Sequence, residues 1–452
     1  MKKVVIVGGG ISGLTVAFAL INGNQTDVTV LESESRPGGK IWTDRADGFL
    51  CEKGTNGFLD NKPRTLDLCK KTGLEPVSSN ENARRRFIFS DGKLNPLPES
   101  PLSFLKSELL SWRGKLRMLY ELVAPKGPED ETVADFITRR LGRESLEKLI
   151  DPMCSGVYAG DPYKMSIKSS FPRIKELEQE YGSLIRAMIR IQRERKRTGG
   201  RKTGPSMSGN LTSFYNGADT ITNALADRLG NRVRLGVAVK GIERDGSSYV
   251  VHTSEGTEQA DIVVLASPAY ASAGILQWLD AGLSKIISGI PYSSVSVVCF
   301  GYKREKVDHP LKGFGFLVPH VEGRKILGSL WDSSIFPNRA PEGSVLLRTI
   351  VGGTRSPELA MQDDDHLIRS VFDELKPVVC LKGEPDMVRV YRWEKAIPQY
   401  VTGHSVMLTS IESALSSYPG LFITGNAYRG ISMNDCIENG YRVAEEILRF
   451  TS

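Results

Sequence analysis

Near its N-terminus the chain reads Val4-Val5-Ile6-Val7-Gly8-Gly9-Gly10-Ile11-Ser12-Gly13-Leu14. The four apolar residues predict a short buried parallel strand, and the apolar run from Leu14 predicts a helix. Between them lies a Gly-x-Gly-x-x-Gly pattern. Gly8 permits a tight turn, Gly10 lets backbone approach a pyrophosphate, and Gly13 lets the helix pack against the strand. The stretch therefore predicts a dinucleotide site with its phosphates at a helix N-terminus.

A second predicted strand supports this interpretation. It covers residues 28–31 and ends in Glu32, nineteen residues after Gly13, close to the ~20 expected for an acid that binds ribose hydroxyls. A carboxylate there would repel a 2′-phosphate, which argues against NADP. A Gly-rich turn between ordinary elements is the alternative, and it requires the strands, the helix and the acid to coincide by chance.

Two further glycine clusters distinguish between dinucleotides. Arg36-Pro37-Gly38-Gly39-Lys40 follows the acid almost at once, and Gly54-Thr55-Asn56-Gly57 comes soon after. Lys40 could meet a phosphate or ribose from the other side, although the first cluster alone could be a plain turn. NAD dehydrogenases do not need these clusters. The pattern resembles FAD binding in the superfamily of flavin amine oxidases and protoporphyrinogen oxidases.

Bulk composition excludes several classes. The 452 residues include 45 Gly, 40% hydrophobic and 25% charged residues, and carry a net charge of +6. This is an ordinary globular balance with mild charge and no clustered signature of a nucleic-acid binder. The six Cys include no Cys-x-x-Cys pair and the five His are scattered, so we expect no metal site or disulfide scaffold. No cleavable leader is recognised, and a cytoplasmic location is the simplest expectation.

The predicted fold class is α/β, α+β overall, with three parts. A discontinuous Rossmann-like FAD-binding domain takes residues 1–80, 205–270 and 388–452. Residues 81–204 form a helical subdomain with potential for membrane association, and residues 271–387 form a mixed-sheet substrate-binding domain.

Two segments of the helical part leave alternatives open. Residues 103–123 have helical periodicity, which predicts a helix packed on the core or one lying on a membrane surface. The basic run at 190–202 predicts a solvated helix end or a contact with anionic lipid.

The rest of the chain is predicted to return twice to the first sheet. A helix at 219–229 precedes an alternating strand at 233–239 and a buried strand at 261–266. Between 270 and about 385, strand-like pieces alternate with loops. Residues 421–424 then form a strand that meets Gly425, and a final helix opens near Gly430 and runs to Arg449. Its N-terminus would stabilise negative charge on a flavin ring.

Several motifs together resemble the oxygen-dependent protoporphyrinogen oxidase family over almost the whole chain. They are Glu52–Leu59, Arg86–Phe89 with Gly92–Leu94 and Pro96–Pro98, Ser155–Asp161, Gly313–Pro319, Leu330–Pro337, Trp393–Glu394, Ala396–Tyr400 and Gly403–His404.

The resemblance implies noncovalent FAD and a set of binding residues. Those expected to contact FAD are Gly8, Gly9, Gly10, Ile11, Ser12, Gly13, Leu14, Glu32, Ser33, Gly39, Lys40, Gly54, Thr55, Asn56, Gly57, Val239, Trp393, Gly425, Asn426, Ile431, Ser432 and Met433. For the substrate, Phe314 and Leu317 would sandwich pyrrole rings, Arg86 would pair with a propionate, and Gly156 would leave room for the macrocycle. Ordinary core positions for Phe314 and Leu317, and a surface charge for Arg86, are the alternatives.

The implied reaction is hydride transfer from a meso carbon of protoporphyrinogen IX to flavin N5, with dioxygen as acceptor and hydrogen peroxide as product. No catalytic side chain and no metal are expected. Asn56 stands where some members carry Arg, and Ala218 interrupts a Gly-Gly-Met-like turn. With the basic residues Lys62 and Arg64, these departures leave coproporphyrinogen III open as the substrate. Another flavin amine oxidase or a non-catalytic flavin protein is the alternative class. A peripheral contact with the cytoplasmic face of a membrane, a homodimer and handover of product to ferrochelatase also stay open, and no nucleic-acid partner is expected.

Overall fold

The computed structural model describes residues 1–21, 26–98, 100–197 and 209–451. The basic run predicted at 190–202 lies outside the described residues from 198 onward, as does the domain boundary predicted between 204 and 205.

The described residues form twenty strands and eighteen α-helices. The strands are β1 Lys2–Val7, β2 Thr26–Glu32, β3 Thr43–Ala46, β4 Phe49–Glu52, β5 Phe58–Leu59, β6 Val77–Ser78, β7 Arg86–Ser90, β8 Lys93–Pro96, β9 Leu211–Ser213, β10 Val233–Leu235, β11 Val239–Asp245, β12 Ser248–Thr253, β13 Gly256–Ala260, β14 Ile262–Leu265, β15 Val295–Lys303, β16 Gly315–Leu317, β17 Ile326–Leu330, β18 Ser344–Gly352, β19 Met387–Trp393 and β20 Leu421–Ile423. The helices are α1 Ile11–Leu20, α2 Pro63–Thr72, α3 Pro101–Lys106, α4 Trp112–Met118, α5 Val133–Arg140, α6 Arg143–Ser145, α7 Asp151–Tyr158, α8 Ile167–Ser170, α9 Pro172–Tyr181, α10 Leu184–Arg197, α11 Thr220–Leu229, α12 Ala269–Leu276, α13 Ala281–Ser288, α14 Asp332–Ile335, α15 Pro357–Ala360, α16 Asp364–Val379, α17 His404–Leu415 and α18 Met433–Thr451.

A parallel five-stranded sheet, ordered β10-β2-β1-β14-β20, draws its strands from both ends and the middle of the chain. Helices α1, α11 and α18 contribute apolar residues to the core on one face. The other face packs against the antiparallel sheet β11-β12-β13 and helices α12, α13 and α17. The predicted α/β class with a discontinuous parallel sheet is therefore confirmed. The apolar central strands β1 and β14 are covered by helices and strands on both faces, as is typical of parallel sheets.

A second sheet of seven strands is ordered β19-β15-β18-β17-β16-β7-β8. All neighbours are antiparallel except β16 and β7. Helix α16 packs on one face through Leu367, Val371 and Leu375, and the β3–β4 hairpin packs on the other. The predicted division into domains stays a prediction. Strand pairing places β7, β8 and β19 in the same sheet as the strands between 295 and 352.

The region between 101 and 197 is helical, with its own small core around α5. The single helix predicted at 103–123 is wrong. Helix α3 ends at Lys106, α4 begins at Trp112, and a 3₁₀ turn covers Leu119–Leu122. The predicted packing on the core is also wrong for most of the stripe, because Trp112, Leu116 and Val123 are 68%, 65% and 69% exposed.

Two other predictions need correction. The alternation at 233–239 is divided between β10 in the parallel sheet and β11 in the three-stranded sheet. The stretch from 270 to 385 contains helices α12 to α16 as well as strands and loops. The longest, α16, has an apolar stripe at 367, 371 and 375, a helical spacing that sequence analysis did not use. No described helix combines the length and apolarity needed to cross a membrane.

Candidate functional site

The first glycine loop joins the carboxyl end of β1 to α1. Gly8 has a φ of +110°, and a Cβ on Gly13 would lie 2.1 Å from the carbonyl oxygen of Gly8. Both positions therefore require glycine. A Cβ on Gly10 would meet nothing within 4 Å, so open space lies over the backbone just before Ile11, where α1 begins. This space is suited to an anionic group at a helix N-terminus.

Glu32 lies beside this loop at the end of β2 and is 7% exposed. One carboxylate oxygen accepts the backbone N–H of Gly9 at 2.6 Å, and the other accepts that of Glu34 at 2.9 Å. The hydroxyl of Ser33 donates to it at 3.3 Å. A carboxylate has about four acceptor positions, so Glu32 is held in place and can still accept bonds from ribose hydroxyls.

The second glycine cluster packs against the first. The N–H of Gly38 donates to the carbonyl of Gly9 at 2.8 Å, and a Cβ on Gly39 would lie 3.4 Å from the Cα of Gly10. On the far side of Glu32, the N–H of Val237 donates to its carbonyl at 2.8 Å, and Val239 follows at the start of β11. The structure thus brings these three sequence-predicted segments together.

Lys40 points away from the glycine loops in the structure. Its ammonium donates to the carbonyl of Lys395 at 2.6 Å and also to that of Ala396, and it lies 5.0 Å from the ring centroid of Tyr292. Burial lowers the pKa of Lys40 to about 8. The phosphate or ribose contact predicted for Lys40 stays a prediction, and in this structure the side chain ties the second glycine cluster to the segment after β19.

The third glycine cluster forms a loop between β4 and β5. The indole N–H of Trp393 donates to the carbonyl of Lys53 at 2.9 Å, and Arg348 donates to that of Gly54 at 3.1 Å. In contrast, neither the amide nitrogen nor the amide oxygen of Asn56 has a partner, although both atoms are buried. A buried, unsatisfied amide is costly, so the Asn56 side chain is suited to bond a ligand.

The C-terminal segment contributes the last part of the site. Gly425 and Asn426 follow β20, and the hydroxyl of Tyr400 donates to the carbonyl of Asn426 at 2.6 Å. Ser432 precedes α18, and its hydroxyl donates to the carboxylate of Asp435 at 2.6 Å. Ile431 lies just before it and Met433 is buried at the helix start.

Helix α18 packs closely on α1, since a Cβ on Gly440 would lie 2.9 Å from the Cβ of Thr15. The first and last helices of the chain are therefore neighbours. The carboxylate of Asp435 also accepts the N–H of Ser432 at 3.3 Å, so part of the positive end of α18 is already compensated inside the protein.

The four predicted substrate residues form two contacting pairs. A Cβ on Gly156 in α7 would lie 2.4 Å from a methyl carbon of Leu317 in β16. The guanidinium carbon of Arg86 lies 5.3 Å from the ring centroid of Phe314. Since β7 and β16 are paired in parallel with Arg86 opposite Gly315, Arg86 and Leu317 lie on neighbouring strands, and the two pairs are close to each other.

Sequence reasoning missed further residues in these regions. Met153 and Val157 lie on α7 beside Gly156 and are 38% and 53% exposed. Their four-residue spacing was visible, but their exposure depends on what packs over the helix. Arg348 and its carboxylate partner Asp332 were also missed. The sequence does signal Arg348, because it is the single charged residue in the strand-like run 345–351. A buried strand does not tolerate such a charge unless it has a partner.

The residues present fit a flavin dinucleotide. Open space over Gly10 can take a pyrophosphate, Glu32 is held beside the loop with acceptor positions left for a ribose, and the Asn56 amide can both accept and donate hydrogen bonds. Within the described ranges, no cluster of His, Cys, Asp and Glu is arranged to hold a metal.

This fold and site define a flavin-dependent oxidoreductase. The sequence profile of the flavin containing amine oxidoreductases matches residues 11–448. The chain belongs to that family, and its cofactor is a flavin.

Two curated relatives are similar to this chain over nearly its whole length. The chain is 34% identical to Protoporphyrinogen oxidase 1, chloroplastic, of Arabidopsis thaliana over 99% of its own length and 88% of the relative. It is 32% identical to the Coproporphyrinogen III oxidase of Bacillus subtilis, over 99% and 98% of the two chains.

Solved structures agree. A protein of Exiguobacterium sp. 255-15, provisionally named a protoporphyrinogen oxidase, has a TM-score of 0.85 and 28% identity, covering 99% of this chain and 98% of that one. Cyclohexylamine oxidase from Brevibacterium oxydans, with a TM-score of 0.70 and 18% identity over 99% and 100% of the two chains, shares the fold.

Proposed function

We propose that the protein oxidises protoporphyrinogen IX to protoporphyrin IX, with dioxygen as acceptor and hydrogen peroxide as product. The observation that carries this proposal is the meeting of Gly156 with Leu317 and of Arg86 with Phe314. These pairs combine apolar contact surface with a cation, which suits a tetrapyrrole bearing carboxylates. The names of the full-length relatives from Arabidopsis and Bacillus support the same class of substrate.

The cofactor in this proposal is noncovalent FAD. The backbone at Gly8–Gly13 and Gly39 binds the pyrophosphate, Glu32 binds the adenosine ribose, and Val239 contacts the adenine. Gly54–Gly57, Trp393 and the segments Gly425–Asn426 and Ile431–Met433 enclose the flavin ring. When bound, FAD supplies the two-electron acceptor that no side chain of the protein can provide.

The protein's own residues position the substrate in this proposal. Phe314 and Leu317 hold pyrrole rings by apolar contact, and Gly156 leaves room for the macrocycle near the flavin. Arg86, which is exposed, binds a propionate without paying a large desolvation cost. The proposal assigns no general base among Gly156, Leu317, Arg86 and Phe314.

Coproporphyrinogen III is the second candidate substrate. A run of arginines at 84–86 is exposed at the start of β7, and this cluster could meet additional propionates. Arg64 does not support this alternative, because it bonds Glu445 at 2.9 Å and Glu438 at 3.4 Å on α18.

One experiment tests both candidate substrates. The purified protein should carry a yellow flavin spectrum, and under air it should turn protoporphyrinogen IX fluorescent with release of peroxide, faster than coproporphyrinogen III. A preference for coproporphyrinogen III would replace the first candidate by the second. Well-folded protein without bound flavin, or peroxide formed from polyamines and not from porphyrinogens, would contradict both.

A membrane contact is proposed from a separate surface, the α3–α4 patch, which comprises Leu102, Leu105, Trp112, Leu116, Leu119 and Val123. These apolar side chains are 50–69% exposed, and the basic residues Lys106 and Arg113 lie among them, also exposed. Apolar and cationic groups together favour the interface of an anionic bilayer. Cytoplasmic location, a homodimer and handover of product to ferrochelatase stay predictions.

A further inference from the structure

Arg348 is an unusual residue for its position. It lies in the middle of β18, in the apolar run Val345-Leu346-Leu347-Arg348-Thr349-Ile350-Val351, and is 2% exposed. A buried guanidinium costs several kcal/mol unless it is paired and fully hydrogen-bonded. Such a residue in a central strand therefore requires an explanation from its partners.

Its first partner is a carboxylate. The Nε of Arg348 donates to Asp332 at 2.7 Å, and Asp332 is fully buried at the start of α14. This ion pair compensates the charge and fixes the plane of the guanidinium. Because the guanidinium presents its donors in a rigid fork, fixing one side determines where the other side points.

Its second partner is the candidate flavin loop, which is the Gly54–Gly57 segment between β4 and β5. Arg348 Nη1 donates to the carbonyl oxygen of Gly54 at 3.1 Å. The preceding carbonyl, that of Lys53, accepts the indole N–H of Trp393 at 2.9 Å. Two consecutive carbonyls are thus held by donors from two strands, β18 and β19, which flank β15 in the seven-stranded sheet.

The backbone of Lys53 and Gly54 has no room to shift toward Lys40. A Cβ on Gly54 would lie 2.4 Å from the carbonyl oxygen of Lys40, so the backbone there already lies in close contact with the second glycine cluster. Asn56, with its two unpartnered buried amide atoms, follows only two residues later. The direction of that amide depends on how the 53–54 backbone is held.

We propose that Arg348 is a positioning residue that, oriented by Asp332 and aided by Trp393, holds the backbone of Lys53 and Gly54 so that Asn56 faces the bound flavin. The proposal rests on the proposed flavin site and assigns Arg348 no contact with substrate or cofactor. A purely structural ion pair would affect stability alone, whereas a positioning residue also changes how the flavin binds and reacts.

The test uses the full-length flavoprotein and two conservative variants, Arg348→Lys and Trp393→Phe. A lysine cannot bond Asp332 and Gly54 with the geometry of the fork. Phenylalanine removes the indole N–H together with part of a ring that is itself a proposed flavin contact, so Arg348→Lys is the deciding variant. We expect the dissociation constant for FAD to rise about tenfold in each, with a shifted flavin absorption spectrum. With porphyrinogen, kcat should fall while KM changes little.

Arg140→Lys is the matched control. Arg140 is an equally buried arginine, paired with Glu121 and Glu178 in the helical region and far from the flavin loop in the chain. It should lower the unfolding temperature and leave the FAD constant, spectrum and kcat unchanged. If Arg348→Lys behaves like this control, the proposal is overturned, whatever the result for Trp393→Phe. FAD binding is measured without porphyrinogen. Wild-type protein that binds no FAD would therefore refute the proposed flavin site, an outcome distinct from failure of the Arg348 proposal.

Discussion

At the scale of single residues, Glu52 is the most perturbed carboxyl near the candidate site. It is fully buried and accepts bonds from the hydroxyl of Thr43 at 2.7 Å and the N–H of Ala218 at 2.8 Å. Burial raises the pKa of Glu52 to about 7, although Arg339 and these bonds oppose the shift.

This pKa predicts a pH dependence of stability. Between its ordinary value of 4.5 and about 7, the folded state holds a proton that the unfolded state has lost, so stability falls as the pH rises through this window. Glu52→Gln should remove that fall. Thermal unfolding midpoints of the two proteins, measured across the window, should show the wild-type midpoint falling relative to that of Glu52→Gln as the pH rises. Parallel profiles would contradict the prediction.

Gly156 gives a second prediction at this scale. In Gly156→Ala the new Cβ would lie 2.4 Å from a methyl carbon of Leu317, so the Leu317 side chain must move. Overpacking of this kind costs about 1–3 kcal/mol. We expect KM for the porphyrinogen to rise about tenfold while FAD stays bound, as measured by steady-state kinetics and the flavin spectrum.

Two variants control this result. Adding Leu317→Ala should return space and recover part of the loss. Gly274→Ala in α12, where a Cβ would meet nothing within 4 Å, should leave KM unchanged. An unaltered KM in Gly156→Ala would remove Gly156 from the substrate site.

At the scale of elements, the helical region is held by a buried ion network as well as by its small core. Arg140 on α5 is fully buried and bonds Glu121 at 2.7 Å and Glu178 at 2.8 Å. Burial alone would raise the pKa of Glu178, but hydrogen bonds from Lys175, Arg140 and Arg139 outweigh it and lower that pKa to about 2. Glu178 therefore stabilises the fold above pH 4.5, and this contribution is lost as the pH falls toward 2.

Arg140→Met should destabilise this region by about 3–5 kcal/mol, since two buried carboxylates lose a shared partner. Urea unfolding followed by tryptophan fluorescence would measure the loss. The flavin content should stay at the wild-type level, because the network is separate from the candidate cofactor residues. A variant as stable as wild type would contradict this prediction and show that the other donors, such as Lys175 and Arg139, are enough to stabilise the buried carboxylates.

The α3–α4 patch also acts at this scale. Replacing both Trp112 and Leu116 by Ser should weaken binding to anionic phosphatidylglycerol vesicles by at least about tenfold, because each side chain loses apolar burial in the interface. Cosedimentation measures this, and added salt should weaken wild-type binding as well. Trp278→Ser, which removes another exposed tryptophan (56% exposed) outside the patch, is the control. Wild-type protein that ignores anionic vesicles would refute the membrane proposal.

At the scale of the whole molecule, the candidate cofactor residues come from segments separated by most of the chain. A ligand that binds only the folded state stabilises it by about 2.7 kcal/mol at a hundredfold excess over Kd. Removal of flavin should therefore lower the unfolding temperature, and added FAD should restore it. FMN, which lacks the adenosine proposed to lie at Glu32, should restore less. Equal restoration by FMN would contradict the role of Glu32.

Local sequence patterns correctly predicted the features that depend on residues close together in the chain. The strand at 4–7, the glycine turn and the helix predicted from Leu14, which begins at Ile11 in the structure, are confirmed, since each follows from spacing within a few residues. The stripe at 103–123 failed because periodicity says which side chains share a face and not what covers that face. Arg348 was missed because its partner at Gly54 is 294 residues away in the chain.

The β1–glycine–α1 unit and the acid ending β2 were sufficient, from sequence alone, to predict the parallel sheet and to indicate a dinucleotide site, because turn sterics and strand burial are local properties. Resemblance of the later motifs extended this to the flavin oxidoreductase class. Tertiary structure alone decided that the two glycine clusters contact each other, that α18 packs on α1, and that Arg348 and Trp393 hold the 53–54 backbone. The glycine clusters are about thirty positions apart, and the other contacts join residues hundreds of positions apart. Spacing within a few residues cannot predict such contacts, which depend on how the strands of the two sheets pair.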